Sequence, residues 1–213
     1  MKKILAILAG FMISCTSQAT NTESNTETGV ESDQIQMKKS QNKVIKKSIE
    51  KTGNATLITE YDQQGNIIKI RDSYYYTENY YPDGYPTVEF TLRDGKILSA
   101  KTSGSGFYNV GVNKQENSAY YSDGGCDIEV KFNEFGYKEE VYECQDGGET
   151  INHEYNKDGL LVKRISEAGG EWMTSIKTTT TYTYDVMSQD WTKRTGTDNE
   201  GNKIVTTRTV EYW

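Results

Sequence analysis

The sequence predicts an all-β fold, a curved antiparallel sheet of stacked β-hairpins. A turn pattern (an aromatic residue, Asp or Asn, two variable residues, then Gly) occurs at 61–65, 132–136 and 155–159, with a degenerate copy at 197–201. The chain has two prolines and nineteen glycines, and the glycines fall at predicted turns, as in a multi-stranded antiparallel sheet. Beyond a lysine-rich segment near the start, no ten-residue window has a clean 3.6-residue period, so no helix is predicted.

Each copy of the turn pattern predicts a hairpin. Asp or Asn opens the turn because its short side chain accepts hydrogen bonds from the backbone ahead of it. The Gly takes the left-handed conformation that closes a three-residue loop with a bulge. In this geometry Asp62 lies opposite Asn66, and Asn133 lies opposite Tyr137. The copies at 132 and 155 begin 23 residues apart, a step typical of stacked repeats.

The first element in chain order is a secretory signal. Two lysines precede an apolar run at 4–13, which is too short to cross a bilayer as a helix. The three residues before Cys15 resemble a bacterial lipobox, in which the Cys becomes lipidated. Cleavage after Ala19, at a small-x-small site, is the alternative. We therefore expect a lipoprotein signal peptide over 1–14, with the lipid on Cys15.

Residues 15–52 are predicted to form a flexible tether with a lysine-rich lead-in. From 16 to 36 the chain is mostly Thr, Ser, Asn, Glu and Gln, which cannot bury enough apolar surface to offset the entropy of ordering. Six lysines follow within 37–52. They favour either contact with anionic lipid headgroups or a solvated lead-in whose few apolar residues dock on the first strands.

The folded body is predicted over 53–213, long enough for one domain with a core. Its strands are rich in Tyr and Thr and poor in Leu, Ile and Val, so the sheet buries one face at most or curves into a half-open roll. The predicted strands are 55–61, 66–76, 87–92, 96–102, 107–112, 118–121, 126–132, 137–144, 149–155, 160–167, 176–185, 191–195 and 203–212.

Cys126 and Cys144 are predicted to form a disulfide, since lipidation of Cys15 would leave these two in an oxidising compartment. The hairpin register places them directly opposite each other as a non-hydrogen-bonded pair, where side chains lie closest. The same register sets Val130 beside Glu140. A slip of one residue would instead pair Phe132 with Tyr137 and Ile128 with Val141, and would flip every side chain to the other face. The alternative to a disulfide is two reduced thiols.

The stretch with binding character is 74–85, which holds six tyrosines among Asn, Glu and Asp. Exposed tyrosines such as Tyr75, Tyr80 and Tyr85 would form an aromatic platform for sugar rings or a protein partner, because Tyr offers a large, stiff contact area. The alternative is that these rings cover the sheet edge and pack on neighbouring strands.

No catalytic residue, metal or cofactor is predicted. A catalytic triad would depend on His153, the only histidine, and two Cys cannot form a tetrahedral zinc site without other ligands. A carboxylate pair for glycoside hydrolysis has no distinguishing signal among 31 acidic residues. A net charge of −7 argues against nucleic acid as a partner.

The turn at 61–66 and its copies resemble the YD, or RHS-type, repeat. The run at 182–213 is similar to the closing segment of YD-repeat lipoproteins of Bacteroidetes, although Gln189-Asp190 stands before Trp191 where those proteins usually have Gly-Asn. The likeness is clear over 126–213, moderate around 60–71 and weak over 72–125. It implies curved layers of antiparallel hairpins and an envelope location. It carries no catalytic residues, because large RHS toxins keep their activity in a separate domain.

These observations predict a non-enzymatic lipoprotein, held in the outer membrane by its lipid, whose β-repeat domain has a structural or protein-interaction role. The alternative function is glycan binding through the tyrosines of 74–85. Acidic residues do not directly follow Cys15, which favours a periplasmic over a cell-surface orientation.

Overall fold

The computed structural model describes residues 43–73, 87–104, 106–123, 125–170, 173–187 and 190–213. Fourteen antiparallel strands form one sheet, and none of these residues is helical, which confirms the predicted all-β class. The strands are β1 (Ile45–Thr52), β2 (Ala55–Tyr61), β3 (Ile67–Ser73), β4 (Thr87–Arg93), β5 (Lys96–Ser103), β6 (Tyr108–Asn113), β7 (Ser118–Ser122), β8 (Cys126–Asn133), β9 (Gly136–Cys144), β10 (Gly147–Tyr155), β11 (Leu161–Gly170), β12 (Met173–Met187), β13 (Asp190–Thr197) and β14 (Lys203–Tyr212).

The sheet curves until it is nearly closed and barrel-like. Except for β5 and β6, consecutive strands pair with each other, and β14 pairs with β1, so β5 and β6 are the two edges. These edges lie close together. Asn117, which has a φ of 58°, bridges the two sides of the gap: its side-chain amide donates to the carbonyls of Gly95 (2.8 Å) and Phe132 (3.0 Å), and its Oδ1 accepts from the N–H of Ile97 (2.8 Å).

Each of the thirteen predicted strands overlaps one strand of the sheet. The sheet begins earlier than predicted, however, because β1 lies in the segment that the sequence assigned to the lead-in. This strand pairs with both β2 and β14 and therefore closes the sheet. The buried residue of β1 is Ser48, which has no accessible surface, while Lys46 and Lys51 are exposed. A strand with so few apolar residues gives little hydrophobic signal in the sequence.

The apolar core fills only one half of the interior. Phe90 and Phe132 pack edge to face with ring centroids 5.1 Å apart, and Ile128 and Val130 are about 1% exposed. Burial of each such side chain stabilises the fold by roughly 1.5–3 kcal/mol. The half formed by β10 to β14 and β1 instead buries polar groups, among them Thr180 and Thr206. The core cluster comprises Ile67, Ile70, Val88, Phe90, Leu92, Ile97, Ala119, Tyr121, Ile128, Val130 and Phe132.

Three of the four patterned turns share one set of hydrogen bonds. In the β2–β3 turn, the N–H of Asp62 donates to the carbonyl of Asn66 (3.0 Å), as predicted, and Asp62 Oδ1 accepts from the N–H groups of Gln64 (2.9 Å) and Asn66 (2.8 Å). The turns that begin at Asn156 and Asp198 repeat these bonds. Gly65, with a φ of 89°, takes the predicted left-handed conformation.

The β8–β9 turn differs from its prediction. Asn133 pairs with Gly136, not with Tyr137, and a bulge follows between Lys131 and Phe132. Phe132 thus faces Tyr137, and both rings enter the core, where their centroids lie 5.8 Å apart. Burial of this aromatic pair explains why the shorter turn is preferred.

The bulge also restores the predicted register further along β8 and β9. Val130 lies opposite Glu140, and Cys126 lies opposite Cys144 with a Cα–Cα distance of 4.1 Å. The two cysteines form the predicted disulfide. The predicted register therefore holds from Cys126 to Lys131, and of the alternative only the pair of Phe132 with Tyr137 is found, since Ile128 lies opposite Tyr142 and not Val141.

Candidate functional site

A cavity of about 660 Å³, the cleft, lies at one end of the sheet. It is bordered by the β2–β3, β8–β9 and β10–β11 turns, which contribute Gly65, Phe135 and Gly159. Its walls are the polar half of the interior described above, together with Leu57, Ile67 and other apolar residues beside the core. The volume lies within the range of small-molecule sites in proteins, about 300–1,000 Å³.

Aromatic rings form much of the wall, and several are fixed by hydrogen bonds. Tyr155 donates its hydroxyl proton to the carbonyl of Tyr137 (2.7 Å), and Tyr184 donates to the carbonyl of Leu161 (2.6 Å). A ring held in this way loses little further entropy when a ligand binds. The aromatic residues of the cleft are Tyr61, Phe135, Tyr137, Tyr155, Tyr184 and Trp191.

A glycine allows one ring to lie over the mouth of the cleft. Gly159 has a φ of 75°, and a Cβ atom at this position would lie 2.9 Å from Cδ1 of Phe135. The Phe135 ring thereby packs against the β10–β11 turn and tilts against Tyr155, with ring centroids 5.6 Å apart. The turn pattern thus positions an aromatic residue as well as reversing the chain.

Four charged side chains line the wall formed by β1, β13 and β14: Glu50, Asp190, Arg194 and Arg208. The Glu50 carboxylate lies 3.2 Å from Nη2 of Arg194 and 4.0 Å from Nε of Arg208. Asp190 lies 3.6 Å from Nη1 of Arg208. Trp191 packs beside both guanidinium groups, with its ring centroid 5.2 Å from Cζ of Arg194 and 4.9 Å from Cζ of Arg208.

Two guanidinium N–H donors in this wall are unsatisfied. The Nε atoms of Arg194 and Arg208 are buried and have no hydrogen-bond partner among the described residues. The side chain of Arg208 is only 7% exposed. An unsatisfied buried donor costs about 1–3 kcal/mol, and more when the group is charged.

Behind the cleft, two carboxyl groups meet Tyr137 and His153. Tyr137 donates to Asp72 (3.0 Å), and His153 Nε2 lies 2.8 Å from Glu140, which also accepts from the hydroxyl of Tyr142 (2.9 Å). Burial, and then the charge of Glu140, raise the pKa of Asp72 to about 7. Burial also acts to raise the pKa of Glu140, but the hydrogen bonds from His153 and Tyr142 outweigh it, so this pKa is lowered.

These two carboxyl groups do not line the cleft, whereas Tyr137 and His153 do. His153 is therefore an interior residue with a carboxylate partner, and its side chain is 9% exposed. No group of three or more His, Cys, Asp or Glu side chains in the described ranges is arranged to hold a metal ion.

The residues predicted as sites fall elsewhere. Cys15, Tyr75, Tyr80 and Tyr85 lie outside the described residues, and the disulfide joins the ends of β8 and β9 away from the cleft. Glu50, Arg194 and Arg208 were not predicted as site residues. For Arg194 and Arg208 the available signal was their position in predicted strands, where every second side chain points to the inner face, whereas Glu50 lay in the segment predicted to be a lead-in.

No family model, curated protein or solved structure matches this chain. The likeness to YD-type repeats therefore stays a prediction from the sequence. Among the described residues, no helix has the length and apolar character to cross a membrane.

Proposed function

We propose that this chain is a non-enzymatic lipoprotein of the outer membrane that binds a neutral saccharide in the cleft. The observation that supports this proposal is the wall where the Trp191 ring lies beside the guanidinium groups of Arg194 and Arg208, which pair with Glu50 and Asp190. The location and the lipid on Cys15 rest on the signal sequence and the resemblance described above.

A saccharide matches the chemistry of this wall at each point. Its hydroxyl groups accept from the guanidinium N–H donors and donate to carboxylates such as Glu50 and Asp190. Its C–H faces pack on rings such as Trp191 and Tyr184, whose centroids lie 5.2 Å apart at an interplanar angle of 71°. In the wall itself two carboxylates face two guanidinium groups, and Glu134 and Asp158 add negative charge at the border of the cleft, which favours a neutral ligand over an anion.

Binding is favoured over hydrolysis because the inner carboxyl groups of the cleft, Glu50 and Asp190, are engaged by arginines, and the other two that line it, Glu134 and Asp158, belong to the turns at its border. A glycosidase needs one protonated and one ionised carboxyl group facing the glycosidic bond. Asp72 has the raised pKa expected of an acid, but it bonds to Tyr137 and does not line the cleft. The tyrosines of 74–85 are the alternative site that the sequence predicts, and they lie outside the described residues.

The test is a glycan-array screen of the mature chain, followed by calorimetric titration with the strongest neutral oligosaccharide. We expect Trp191→Leu and Arg208→Gln each to weaken binding at least tenfold. A Tyr75/Tyr80/Tyr85→Ala variant should bind normally. Tyr120→Ala on the outer surface, where the ring is 49% exposed, is the control for nonspecific effects.

Three results would contradict the cleft as the site. They are the absence of any saccharide binding by the folded protein, equal binding by Trp191→Leu, and loss of binding only in the triple Tyr variant. The last result would move the site to the segment at 74–85. Near-ultraviolet circular dichroism checks that each variant keeps its folded core.

A further inference from the structure

A second feature is a patch where β1 begins and β14 ends, here called the anchor-side patch. It contains Lys43, Lys46, Tyr212 and Trp213. Lys43 Nζ lies 5.6 Å from the ring centroid of Tyr212, and Lys46 Nζ lies 5.2 Å from that of Trp213. Tyr212 and Trp213 are 37% and 55% exposed, respectively.

The patch is fixed to the sheet rather than frayed. The backbone N–H of Trp213 donates to the carbonyl of Val44 (3.1 Å). Its indole Nε1–H donates to the carbonyl of Asp62 in the β2–β3 turn (3.1 Å). The indole is thus held in one orientation while half of its surface stays in contact with solvent. An exposed Trp and Tyr beside lysines is the composition found at membrane–water interfaces, where amphipathic rings sit among the headgroups.

Basic residues predominate in the first five strands and acidic residues in β6 to β11, so an anionic membrane would attract the first group and repel the second. The described residues of 43–73 and 87–104 hold nine Lys or Arg and six Asp or Glu, of which Glu50 and Asp72 face the interior. The described residues of 106–170 hold six Lys or Arg and thirteen Asp or Glu. Attraction to anionic headgroups is worth about 1 kcal/mol for each basic residue near the surface, so β6 to β11 would be repelled.

The position of the patch along the chain agrees with its composition. Twenty-seven residues separate Cys15 from Lys43, and a chain of that length spans at most about 95 Å. This segment includes Lys38 and Lys39 and leads directly into the patch. A lipid on Cys15 would therefore keep the patch within reach of the membrane at all times and at a high effective concentration.

We propose that the anchor-side patch rests on the membrane that holds the lipid, with Trp213 and Tyr212 among the headgroups and the lysines against anionic lipids. This inference rests on the lipidation of Cys15 in the proposed function. It has a consequence for the cleft, because Tyr212 donates to Asp190 of the cleft wall (2.6 Å). The side of the cleft formed by β1 and β14 would then face the bilayer surface, while the β8–β9 and β10–β11 turns would be held away from it.

The test uses the lipidated protein reconstituted into vesicles of phosphatidylethanolamine and phosphatidylglycerol that carry a lipid brominated near the headgroup. We expect bromine to quench part of the tryptophan fluorescence, and Trp213→Phe to remove most of that quenching. Trp191→Phe should keep it, because Trp191 is 8% exposed inside the cleft. Quenching that is absent, or unchanged in Trp213→Phe, would overturn the proposal.

A charge-reversal pair tests the role of the lysines. Lys43→Glu with Lys46→Glu should lower the quenching at least twofold on anionic vesicles. Lys177→Glu with Lys203→Glu, at the opposite end of the sheet, should not change it. Equal effects of the two pairs would overturn a specific basic contact. Because no saccharide is present, these outcomes are independent of the glycan assay, and a chain purified from its host without a lipid on Cys15 would overturn the lipoprotein assignment itself.

Discussion

Glu50 lies directly opposite Arg208 in the ladder that joins β1 to β14, and its carboxylate is also 3.2 Å from Arg194 on β13. One carboxylate therefore serves two guanidinium groups at the point where the first strand of the sheet meets the last. This carboxylate belongs to β1, the strand that lies in the segment predicted to be a lead-in. Closure of the sheet and assembly of the cleft wall thus depend on the same residue.

Glu50→Gln should destabilise the fold by about 2–4 kcal/mol, because removal of one partner from a largely buried ion pair leaves the other charge uncompensated. The side chains of Glu50, Arg194 and Arg208 are 14%, 16% and 7% exposed, respectively. The measurement is the urea midpoint at neutral pH. The control is Glu154→Gln, which removes an exposed ion pair with Lys163 and should cost less than about 1 kcal/mol. Equal effects of the two substitutions would contradict the structural role of Glu50.

Asp72→Asn should make the protein more stable in mildly alkaline solution. Burial and the Glu140 charge raise the pKa of Asp72 from 3.8 to about 7, so between pH 4 and 7 the folded state binds more protons than the unfolded state. The free energy of unfolding therefore falls as the pH rises through this window. At pH 8 the variant should gain roughly 1–3 kcal/mol over the wild type.

The check on Asp72 is a series of urea titrations from pH 4 to pH 8. The advantage of Asp72→Asn should shrink toward pH 4, where the wild-type carboxyl is protonated in the folded protein. Tyr137→Phe is the companion variant, because it removes the hydrogen bond to Asp72 without removing the carboxyl. A stability difference that does not vary with pH would show that the effect comes from packing alone.

Glu89→Gln should weaken the fold at neutral pH but not in acid. This carboxylate is 9% exposed on the outer face of β4, 2.7 Å from Arg71 and 2.9 Å from Lys101. Burial raises its pKa, but these hydrogen bonds and the nearby Lys69 outweigh burial and lower the pKa from 4.5 to about 2. The stability it contributes is present above pH 4.5 and is lost as the pH falls toward 2.

We expect a loss of about 1–2 kcal/mol for Glu89→Gln at pH 7, since its cationic partners are partly exposed and screened. The loss should disappear near pH 2. Thermal unfolding of the variant and the wild type at pH 2 and pH 7 measures this loss of stability. A loss of equal size at the two pH values would contradict the ion-pair explanation. Sodium chloride at 1 M should reduce the effect at pH 7, because salt screens exposed charges.

Much of the fold could be predicted because strand period and turn chemistry are local properties. Asp62 and Asn156 open turns through bonds to residues two and four positions ahead, so a short stretch of sequence determines them. The strand β1 was missed because its place depends on pairing with β14, about 160 residues away, and not on its own hydrophobicity. The register at Cys126 was predictable, although the bulge that preserves it was not.

The cleft could not be predicted, because its residues are distant in the sequence and come together only when the sheet curves. Glu50, Trp191 and Arg208 belong to three strands, and each has an ordinary local context of charged and hydroxyl residues. What distinguishes them is that they face inward on the half of the sheet that lacks an apolar core. When a strand has little hydrophobic pattern, its sequence only weakly specifies which of its two faces points inward.

Replacement of Cys126 and Cys144 by Ser should lower the free energy of unfolding by about 3 kcal/mol, the loop-closure value for a separation of 18 residues. The bond joins neighbouring strands at the far end of the bulged β8–β9 pair, so the double variant should still fold. The measurement is the urea midpoint with and without dithiothreitol. Reductant should destabilise the wild type to the level of the double variant and leave that variant unchanged. If reductant did not change the urea midpoint of the wild type, the disulfide would be contradicted. The double variant should keep its saccharide affinity, because the cleft lies at the opposite end of these strands.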